Sequence, residues 1–309
     1  MIFFKKNKFL TFILILLTVF VYYNFTREVH LENNSDPKSE FYVNSLYSSN
    51  MRIYYDFLSD NEKKMYKIMF NDIKNHKVKR KLSYDEFECE GLNDCAEYPL
   101  RIFEVFETEY PELFSFATFM IIDKGDSFEI TYIYATPLKS FDTLGEMKIK
   151  RIVNDIREKT KNMTDEEKVL YVYNFIGNNY TYDRIFMYTA KNQSAFNAII
   201  NKNAVCAGFS KVSSIIFQNI GIESYSVEGT STGPHMWNII KLKDKYYYFD
   251  STVAACIDPK YDEYYDGLNQ TYMNSYVLKN PVWFPKVETE PYTKLENGKL
   301  IFIDWQITN

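Results

Sequence analysis

The stretch AVCAGFS at residues 204–210 organises the interpretation of the whole chain. The spacing of its apolar residues and those after it predicts a helix over residues 206–219, which Gly221 ends. Two further stretches follow, PHMWN at 234–238 and FDST at 249–252. Together the three stretches supply a cysteine, a histidine and an aspartate in that order, and nucleophilic cysteine catalysis needs these residue types.

Cys206 is predicted to be the first residue of that helix. A cysteine attacks as its thiolate, and the unpaired N–H groups at a helix N-terminus favour the negative charge. The small residues Ala207 and Gly208 beside it are expected to let a substrate backbone come close. Considered alone, the position is more typical of a buried structural cysteine, so the catalytic interpretation depends on partners elsewhere in the chain.

Those partners are His235 and Asp250. The chain has 3 histidines, and only His235 lies within a folded apolar stretch, where it leads a predicted strand over residues 235–242. A tight turn and a second strand over 246–250 follow. Because side chains alternate along strands, this register places His235 opposite or diagonal to Asp250 on one face. Alone, the histidine is as typical of a structural role, but the three signals together favour a catalytic site.

Five short motifs together resemble the transglutaminase-like superfamily, and most closely its compact bacterial, extracytoplasmic members. They are QSAF at 193–196, AVCAGF at 204–209, GI at 221–222, HMWN at 235–238 and FDST at 249–252. The resemblance is detailed over residues 165–255. It implies an α+β fold with a papain-like core, in which a nucleophile helix packs on an antiparallel sheet, preceded by a mainly helical N-terminal extension.

The resemblance also implies a role for each residue of the site. Cys206 would be the nucleophile, His235 the general acid and base, and Asp250 the carboxylate that orients the imidazole. An oxyanion hole needs a second donor besides the backbone N–H of Cys206. Tyr182 and Gln193 are the candidates, and Tyr182 is preferred, although a core aromatic ring and a surface amide are their ordinary roles.

The substrate pocket is the part of the site that is expected to depart from the family. Trp237 shares a strand face with His235 and is a candidate pocket wall, although a role in the core is the stronger expectation. VAA at 253–255 stands where the family usually has a tryptophan. This departure concerns the pocket rather than the triad.

The N-terminus has the pattern of an export signal. Lys5, Lys6 and Lys8 precede an apolar run over residues 9–23, and no clear cleavage site follows. An uncleaved signal-anchor is the preferred interpretation, and a cleaved signal peptide is the alternative. The lysines imply that the rest of the chain is exported. We therefore expect an extracytoplasmic protein, anchored to the membrane by this segment or secreted if the segment is removed.

The cysteine pattern agrees with export. Cys89 and Cys95 frame the short polar loop EGLND, and this spacing can close a disulfide in an oxidising compartment. A metal site is the weaker alternative, since no second cysteine pair or nearby histidine accompanies them. Because the chain has no phosphate loop, dinucleotide fingerprint or HExxH motif, we predict neither a cofactor nor a metal.

The chain divides into five predicted segments. They are a signal-anchor or signal peptide at 1–23, a polar tether at 24–50, an N-terminal α+β extension at 51–160, a transglutaminase-like catalytic domain at 161–285, and a C-terminal tail at 286–309.

Local patterns predict the elements of these segments. In the extension, the capping box SDNE at 59–62 predicts a helix that runs out in the basic cluster at 77–81. Strands joined by a hairpin are predicted at 114–123 and 128–136. A second capping box, TDEE at 164–167, predicts the first helix of the catalytic domain.

Charge and motifs together limit the function. The net charge of −5, without a basic stripe after the N-terminus, argues against nucleic-acid binding. We expect a membrane-tethered cysteine acyl-transfer enzyme that acts on peptide or side-chain amides of a cell-wall or surface protein. Hydrolysis, as in a peptidase or amidase, is preferred because water needs no acceptor site. A cross-linking transglutaminase, a non-catalytic surface binding module and amide chemistry on a small molecule or glycopeptide are the alternatives.

Overall fold

A computed structural model describes residues 54–111, 113, 115–135, 140–184, 190–231, 233–256, 276–279, 284–288, 293–296 and 299–302 of the protein. The predicted signal-anchor at 1–23 and the tether at 24–50 lie outside these residues. Within the described part of the chain, no helix combines the length and the apolar character that a membrane crossing requires.

The N-terminal extension combines helices with a three-stranded antiparallel sheet in the order β1-β3-β2. Its elements, in chain order, are a 3-10 turn Tyr54–Phe57, α1 Asp60–Lys74, β1 Lys79–Ser83, a 3-10 turn Asp85–Phe87, α2 Leu92–Cys95, α3 Glu97–Glu109, β2 Phe116–Asp123 and β3 Ser127–Tyr134. The predicted hairpin joins β2 to β3 through Gly125, whose φ of +90° is readily adopted only by glycine.

Helix α1 begins at the predicted capping box. Ser59 Oγ accepts a hydrogen bond from the backbone N–H of Glu62 at 3.3 Å, and the backbone N–H of Ser59 donates to Glu62 Oε2 at 2.7 Å. These two bonds satisfy N–H groups that a helix start leaves without partners. The apolar face that follows is buried against α3.

Aromatic rings hold the extension together. Tyr66 and Phe70 of α1 pack on Phe106 of α3 at ring distances of 5.0 and 6.2 Å. Tyr110, just after α3, lies 5.1 Å from Phe70 and shares a short hydrogen bond with the hydroxyl of Tyr66. Such edge-to-face contacts add to the stabilisation that burial of large rings already provides.

The basic cluster at 77–81 is not a helix end, contrary to the prediction. Helix α1 ends before His76, whose φ of +51° turns the chain away from the helix axis. The cluster instead continues into strand β1. Arg80 Nε donates to Oδ2 of the buried Asp72 at 2.7 Å, so the carboxylate on α1 fixes the cationic strand beside it.

The catalytic region is built on a four-stranded antiparallel sheet in the order β8-β7-β6-β9. Its elements are α4 Ser140–Thr160, α5 Asp165–Asn179, β4 Thr181–Tyr182, a 3-10 turn Ala190–Gln193, α6 Ala195–Asn201, β5 Asn203–Ala204, α7 Cys206–Asn219, β6 Ser224–Thr230, β7 Pro234–Leu242, β8 Lys245–Phe249, α8 Ser251–Cys256 and β9 Val277–Leu278. Helix α7 packs on this sheet, which confirms the predicted α+β fold class. Farther on, β10 Thr293–Glu296 and β11 Lys299–Phe302 pair as a separate antiparallel two-stranded sheet in the predicted tail.

Helix α7 has an apolar side that is central to the core. Phe209, Val212 and Ile216 are fully buried there. Residues from α4, α5 and the sheet complete the cluster: Ile149, Val153, Ile156, Val169, Val172, Ile176, Ile240 and Phe249. Helix α4 therefore shares this core, although it precedes the predicted domain boundary at residue 160, and the boundary itself stays a prediction.

Candidate active site

The approach to Cys206 is held by main-chain bonds on both sides. Strand β5 runs parallel to β4, and beyond it the N–H of Asp183 donates to the carbonyl oxygen of Ala204 at 2.9 Å. The N–H of Val205 donates to the carbonyl oxygen of Asn192 at 3.2 Å. Val205 is extended and caps α7 with no side-chain hydrogen bond, so the N–H groups of the first turn next to Cys206 have no side-chain cap.

Gly208 has a different role from the predicted one. It was expected to give a substrate backbone access to the site, but it is buried. A Cβ built on Gly208 would lie 2.7 Å from the Cβ of Ala204 and 3.0 Å from the carbonyl oxygen of Ser194. The missing side chain therefore allows α7 to approach the start of α6. Ala207 is buried as well, at 2% exposure.

His235 reaches the site from strand β7. The turn between β7 and β8 consists of Lys243 and Asp244, both with left-handed φ values of +48° and +63°, as tight hairpins require. The register pairs Asn238 with Phe249, the last residue of β8. Asp250 therefore lies one step beyond the paired residues, diagonal to His235 on the same face.

The imidazole of His235 lies between a carboxylate and a thiol. Its Nε2 is 2.8 Å from Oδ2 of Asp250, whose side chain is only 2% exposed, and an ionised carboxylate can only accept. Nε2 therefore carries the proton that it donates to Asp250. Cys206 also acts on the imidazole and raises its pKa, and Nδ1 is the ring nitrogen that remains for it. In Ser-His-Asp triads the two ring nitrogens have the opposite roles.

The surroundings favour a protonated imidazole. Burial by itself lowers the pKa of His235, but the hydrogen bonds to Asp250 and Cys206 and their negative charges outweigh burial and raise the pKa of His235 to about 10. Because this value lies well above neutral pH, the imidazolium form of His235 is the state that the site stabilises.

Asp250 has further partners that hold it in place. Its Oδ1 accepts a hydrogen bond from the backbone N–H of Thr252 at 2.8 Å, which caps the start of α8. Its Oδ2 accepts a second bond from the hydroxyl of Tyr276 at 2.9 Å. These bonds give the buried carboxylate the polar partners that water would otherwise supply.

A polar seam joins α7 to the strand that carries His235. Ser210 Oγ donates to the carbonyl oxygen of Trp237 at 2.7 Å, and Asn238 Nδ2 donates to the carbonyl oxygen of Ser210 at 3.0 Å and to Ser214 Oγ at 2.9 Å. The seam continues through buried hydroxyl pairs among Ser213, Ser214, Ser224, Ser226 and Ser251. Small polar side chains thus set the distance between the element of Cys206 and the element of His235.

Trp237 packs beside the imidazole and is 1% exposed. Its ring is stacked on that of His235, with centroids 5.8 Å apart and an interplanar angle of 20°. Tyr182 lies on β4 opposite Ala204, with its ring 6.3 Å from that of Phe209. The roles of Trp237 as a pocket wall and of Tyr182 as an oxyanion donor stay predictions.

Gln193 ends the 3-10 turn before α6, and its carbonyl oxygen accepts from Lys211 Nζ at 3.3 Å. Lys211 lies on α7, is 5% exposed at its side chain, and pairs with Glu107 of α3 at 2.8 Å. Burial raises the pKa of Glu107, while Lys211 acts in the opposite direction. The proposed oxyanion role of the Gln193 side chain stays a prediction.

Sequence reasoning missed several groups that support the site. Lys211 and Glu107 are 104 residues apart, and no local pattern joins them. Asn192 was also missed, although it lies directly before the QSAF motif. Its Nδ2 donates to Asp183 Oδ2 at 2.6 Å and its Oδ1 accepts from Asn197 Nδ2 at 2.7 Å. The position of this amide next to the QSAF motif was the signal that could have identified it.

The remaining predicted pair is Cys89 and Cys95, which the structure joins by a disulfide with 5.5 Å between the Cα atoms. This disulfide lies at α2 in the N-terminal extension, which precedes Cys206, His235 and Asp250 in the sequence. Among the residues that the structure describes, His, Cys, Asp and Glu side chains form no group of three that could hold a metal ion.

Comparison with solved structures gives distant likenesses. A TGase is 18% identical over 44% of this chain and 44% of its own length, with a TM-score of 0.33. A candidate cysteine protease from Cytophaga hutchinsonii is 13% identical over 44% of this chain and 62% of its own, with a TM-score of 0.30. A candidate protease from Parabacteroides distasonis is 13% identical over 42% and 35%, with a TM-score of 0.27.

The chain thus spans less than two thirds of the length of each of these proteins. Comparison with curated proteins gives no significant match. The model of the transglutaminase-like superfamily, in contrast, matches residues 150–251, a segment that contains Cys206, His235 and Asp250. The predicted resemblance to the transglutaminase-like superfamily is therefore confirmed over residues 150–251, which match its model.

Proposed function

We propose that the protein is a cysteine acyl-transfer enzyme that hydrolyses peptide or side-chain amides through a thioester on Cys206. The observation that carries the proposal is the imidazole of His235, which hydrogen-bonds to the buried Asp250 and has its pKa raised by both Asp250 and Cys206. A buried structural cysteine has no need of an imidazole that is itself held by a buried carboxylate.

In the acylation step, the thiolate of Cys206 attacks the amide carbonyl carbon. The charge that develops on the carbonyl oxygen is stabilised by backbone N–H groups at the uncapped start of α7. The imidazolium of His235 then gives its Nδ1 proton to the leaving nitrogen, so an amine or ammonia departs. A thioester on Cys206 and a neutral imidazole remain.

In the deacylation step, the neutral imidazole takes a proton from water, and the resulting hydroxide attacks the thioester carbonyl carbon. Collapse releases the carboxylic acid and the Cys206 thiolate, and His235 is again an imidazolium. An amine could attack in the same position and yield a new amide, as in cross-linking. Hydrolysis is the preferred outcome because water needs no binding site of its own.

We also propose that this chemistry takes place outside the cytoplasm, on a protein or peptide of the cell wall or surface. Two features support the location. The lysines before the apolar run at 9–23 have the pattern of an export signal. The bond between Cys89 and Cys95 is of a kind that persists in oxidising compartments.

The test is turnover by the full-length protein of a set of peptides that contain backbone amides and glutamine or asparagine side chains. Each peptide is incubated with and without a primary amine, and products are identified by mass spectrometry. We expect amide hydrolysis that Cys206→Ala abolishes. His235→Ala should come close to that loss, whereas the matched variant His76→Ala, in the extension, should retain activity.

Three outcomes would contradict the proposal in different ways. Turnover that survives Cys206→Ala unchanged would exclude the thioester. An amine-linked product as the main product would replace hydrolysis by transfer. Tight binding of a surface protein by wild type and Cys206→Ala alike, with no turnover of any amide, would indicate a binding module.

A further inference from the structure

Tyr276 contributes a hydroxyl that the mechanism above does not use. It donates to Oδ2 of Asp250 at 2.9 Å, the same oxygen that accepts from Nε2 of His235 at 2.8 Å. We propose, resting on the proposed function, that Tyr276 is a positioning residue. By sharing Oδ2, its hydroxyl limits how strongly the carboxylate of Asp250 holds the imidazolium, and so keeps the imidazolium able to give up a proton.

Tyr276 reaches Asp250 because the strand that follows it, β9, lies close to the rest of the sheet. Strand β9, which follows it, pairs with the end of β6, where Gly229 lies opposite Leu278. A Cβ built on Gly229 would lie 2.0 Å from the carbonyl oxygen of Val277 and 2.7 Å from the ring of Trp237. Only glycine at this position allows β9 to approach, and with it the ring of Tyr276.

The ring of Tyr276 is enclosed by the site. It is 7% exposed, and its centroid lies 5.5 Å from the ring of His235 and 5.0 Å from that of Trp237, both nearly edge to face. Asp250 is 1% exposed, so water has little access to its carboxylate. The hydrogen bonds to Oδ2 therefore come from the protein, and in a buried setting each has a larger effect on the charge than in water.

The charged groups around His235 lie on different elements of the fold. Cys206 at the start of α7 and Asp250 after β8 are the charged groups that shift its protonation. On the strands behind, Glu228 of β6 pairs with Lys279 at 3.2 Å, and Lys279 also pairs with Glu104 at 2.7 Å. Lys279 thus faces two carboxylates, and the three side chains together carry one net negative charge. The hydroxyl of Tyr276 is neutral and acts on His235 through Asp250, to which it donates.

Removal of the hydroxyl has a defined consequence. A donor to the charged form of a carboxylate makes that carboxylate less basic. Without it, Oδ2 interacts more strongly with the imidazolium, which then holds its proton more tightly. Because an acid transfers its proton best when its pKa lies near the working pH, catalysis should slow down while substrate binding is unaffected.

The experiment compares Tyr276→Phe with wild type in the full-length protein. We expect kcat to fall by about 3- to 10-fold with KM unchanged, the range for loss of one ordinary hydrogen bond. We also expect the basic limb of the rate profile to move to higher pH by about half a unit or more. The same shift should occur in the titration of the His235 side chain, followed by NMR in protein with 15N-labelled histidine, which has 3 such residues to assign.

The matched control is Tyr132→Phe. Tyr132 is a buried tyrosine, 3% exposed, that donates to a buried aspartate, Asp72, at 3.1 Å in the extension. It should change neither kcat nor the titration of His235. An unmoved His235 titration in folded Tyr276→Phe, or equal effects of both variants, overturns the proposal. If Tyr276→Phe does not fold, Tyr276→Met is measured by the same titration.

The NMR titration needs no substrate, so it separates this proposal from the proposed function. If wild type hydrolyses no amide, the proposed function fails, while a shifted His235 titration still supports the link from Tyr276 through Asp250. If wild type hydrolyses amides and the titration of Tyr276→Phe matches wild type, only the role of Tyr276 fails.

Discussion

Two buried aspartates, one in each region of the molecule, have closely matched surroundings. Asp72 in the extension is 3% exposed and accepts a hydrogen bond from Tyr132 at 3.1 Å. Asp250 in the catalytic region is 1% exposed and accepts one from Tyr276 at 2.9 Å. Each also binds a side chain that can carry a positive charge, so the carboxylate, the hydroxyl and the cation recur as a set.

The two sets differ in the cation. Arg80 beside Asp72 cannot be deprotonated in a protein, and its hydrogen bond to that carboxylate raises its pKa further. His235 beside Asp250 can release its proton and has Cys206 as a second partner. In both sets, the buried carboxylate fixes one element on another. Only the set of Asp250 is a candidate catalytic site, because its cation can exchange a proton and lies beside a nucleophile.

The largest expected effect is a loss of kcat/KM when Asp250, but not Asp72, is changed to asparagine. Asp250→Asn should lower kcat/KM by about 10⁴-fold, because the imidazolium loses the charge that stabilises it. Asp72→Asn should leave kcat/KM unchanged and lower the free energy of unfolding by about 1–3 kcal/mol. Amide turnover and urea denaturation measure the two quantities. Loss of turnover in Asp72→Asn in folded protein would show that the regions are not separable.

The next effect concerns the ion pair that joins the regions. Lys211→Met leaves the carboxylate of Glu107 buried without its cation, which should lower the free energy of unfolding by about 3–5 kcal/mol. Because burial raises the pKa of Glu107, the loss should shrink at acidic pH, where the carboxyl group binds a proton. Urea denaturation at two pH values measures it.

The control for that experiment is the double variant Lys211→Met with Glu107→Leu, which removes both charges and should recover much of the stability. Equal stability of the single and the double variant would mean that the lone carboxylate is solvated, contrary to its burial.

The third effect is a pH dependence that only one of the two sets can have. The pKa of His235 is raised to about 10 from an ordinary value of 6.5, so its charge stabilises the folded state. That contribution should be fully present below about pH 6.5 and be lost as the pH rises through about 10, by a few kcal/mol at most. Unfolding free energies of wild type and His235→Asn should converge over this window, and parallel curves would contradict the assignment.

The smallest expected effect is the loss of one helix cap in each region. The capping boxes of Ser59 on α1 and Thr164 on α5 are alike, with backbone bonds of 3.3 Å in both. Ser59→Ala and Thr164→Ala should each lower the free energy of unfolding by about 1 kcal/mol, without a change in kcat. A reduced kcat in Thr164→Ala would indicate that α5 positions the site rather than only supporting it.

Local chemistry made much of the catalytic region predictable. Capping residues and apolar spacing predicted the start of α5 and both ends of α7, as observed at Cys206 and Asn219. Strand alternation and a two-residue turn predicted His235 opposite or diagonal to Asp250, because parity along a hairpin is fixed by geometry, and the observed register is the diagonal one.

The remaining features depend on contacts that no local pattern encodes. Tyr276 reaches Asp250 from 26 residues farther along the chain. The basic cluster at 77–81 looks like a helix end until the carboxylate of Asp72 is seen beside the strand. Gly208 was assigned to substrate access because the sequence does not show that α6 passes within contact distance of it.

The polar seam behind Cys206 and His235 also has a consequence for how the site responds to heat. Apolar contacts weaken gradually as two surfaces drift apart, whereas hydrogen bonds of 2.7 to 3.0 Å, such as those of Ser210 and Asn238, are lost over a small displacement. A one-residue slide of α7 would break all of them together. The spacing of nucleophile and imidazole is therefore either kept or lost, and thermal inactivation should coincide with melting of the catalytic region instead of preceding it.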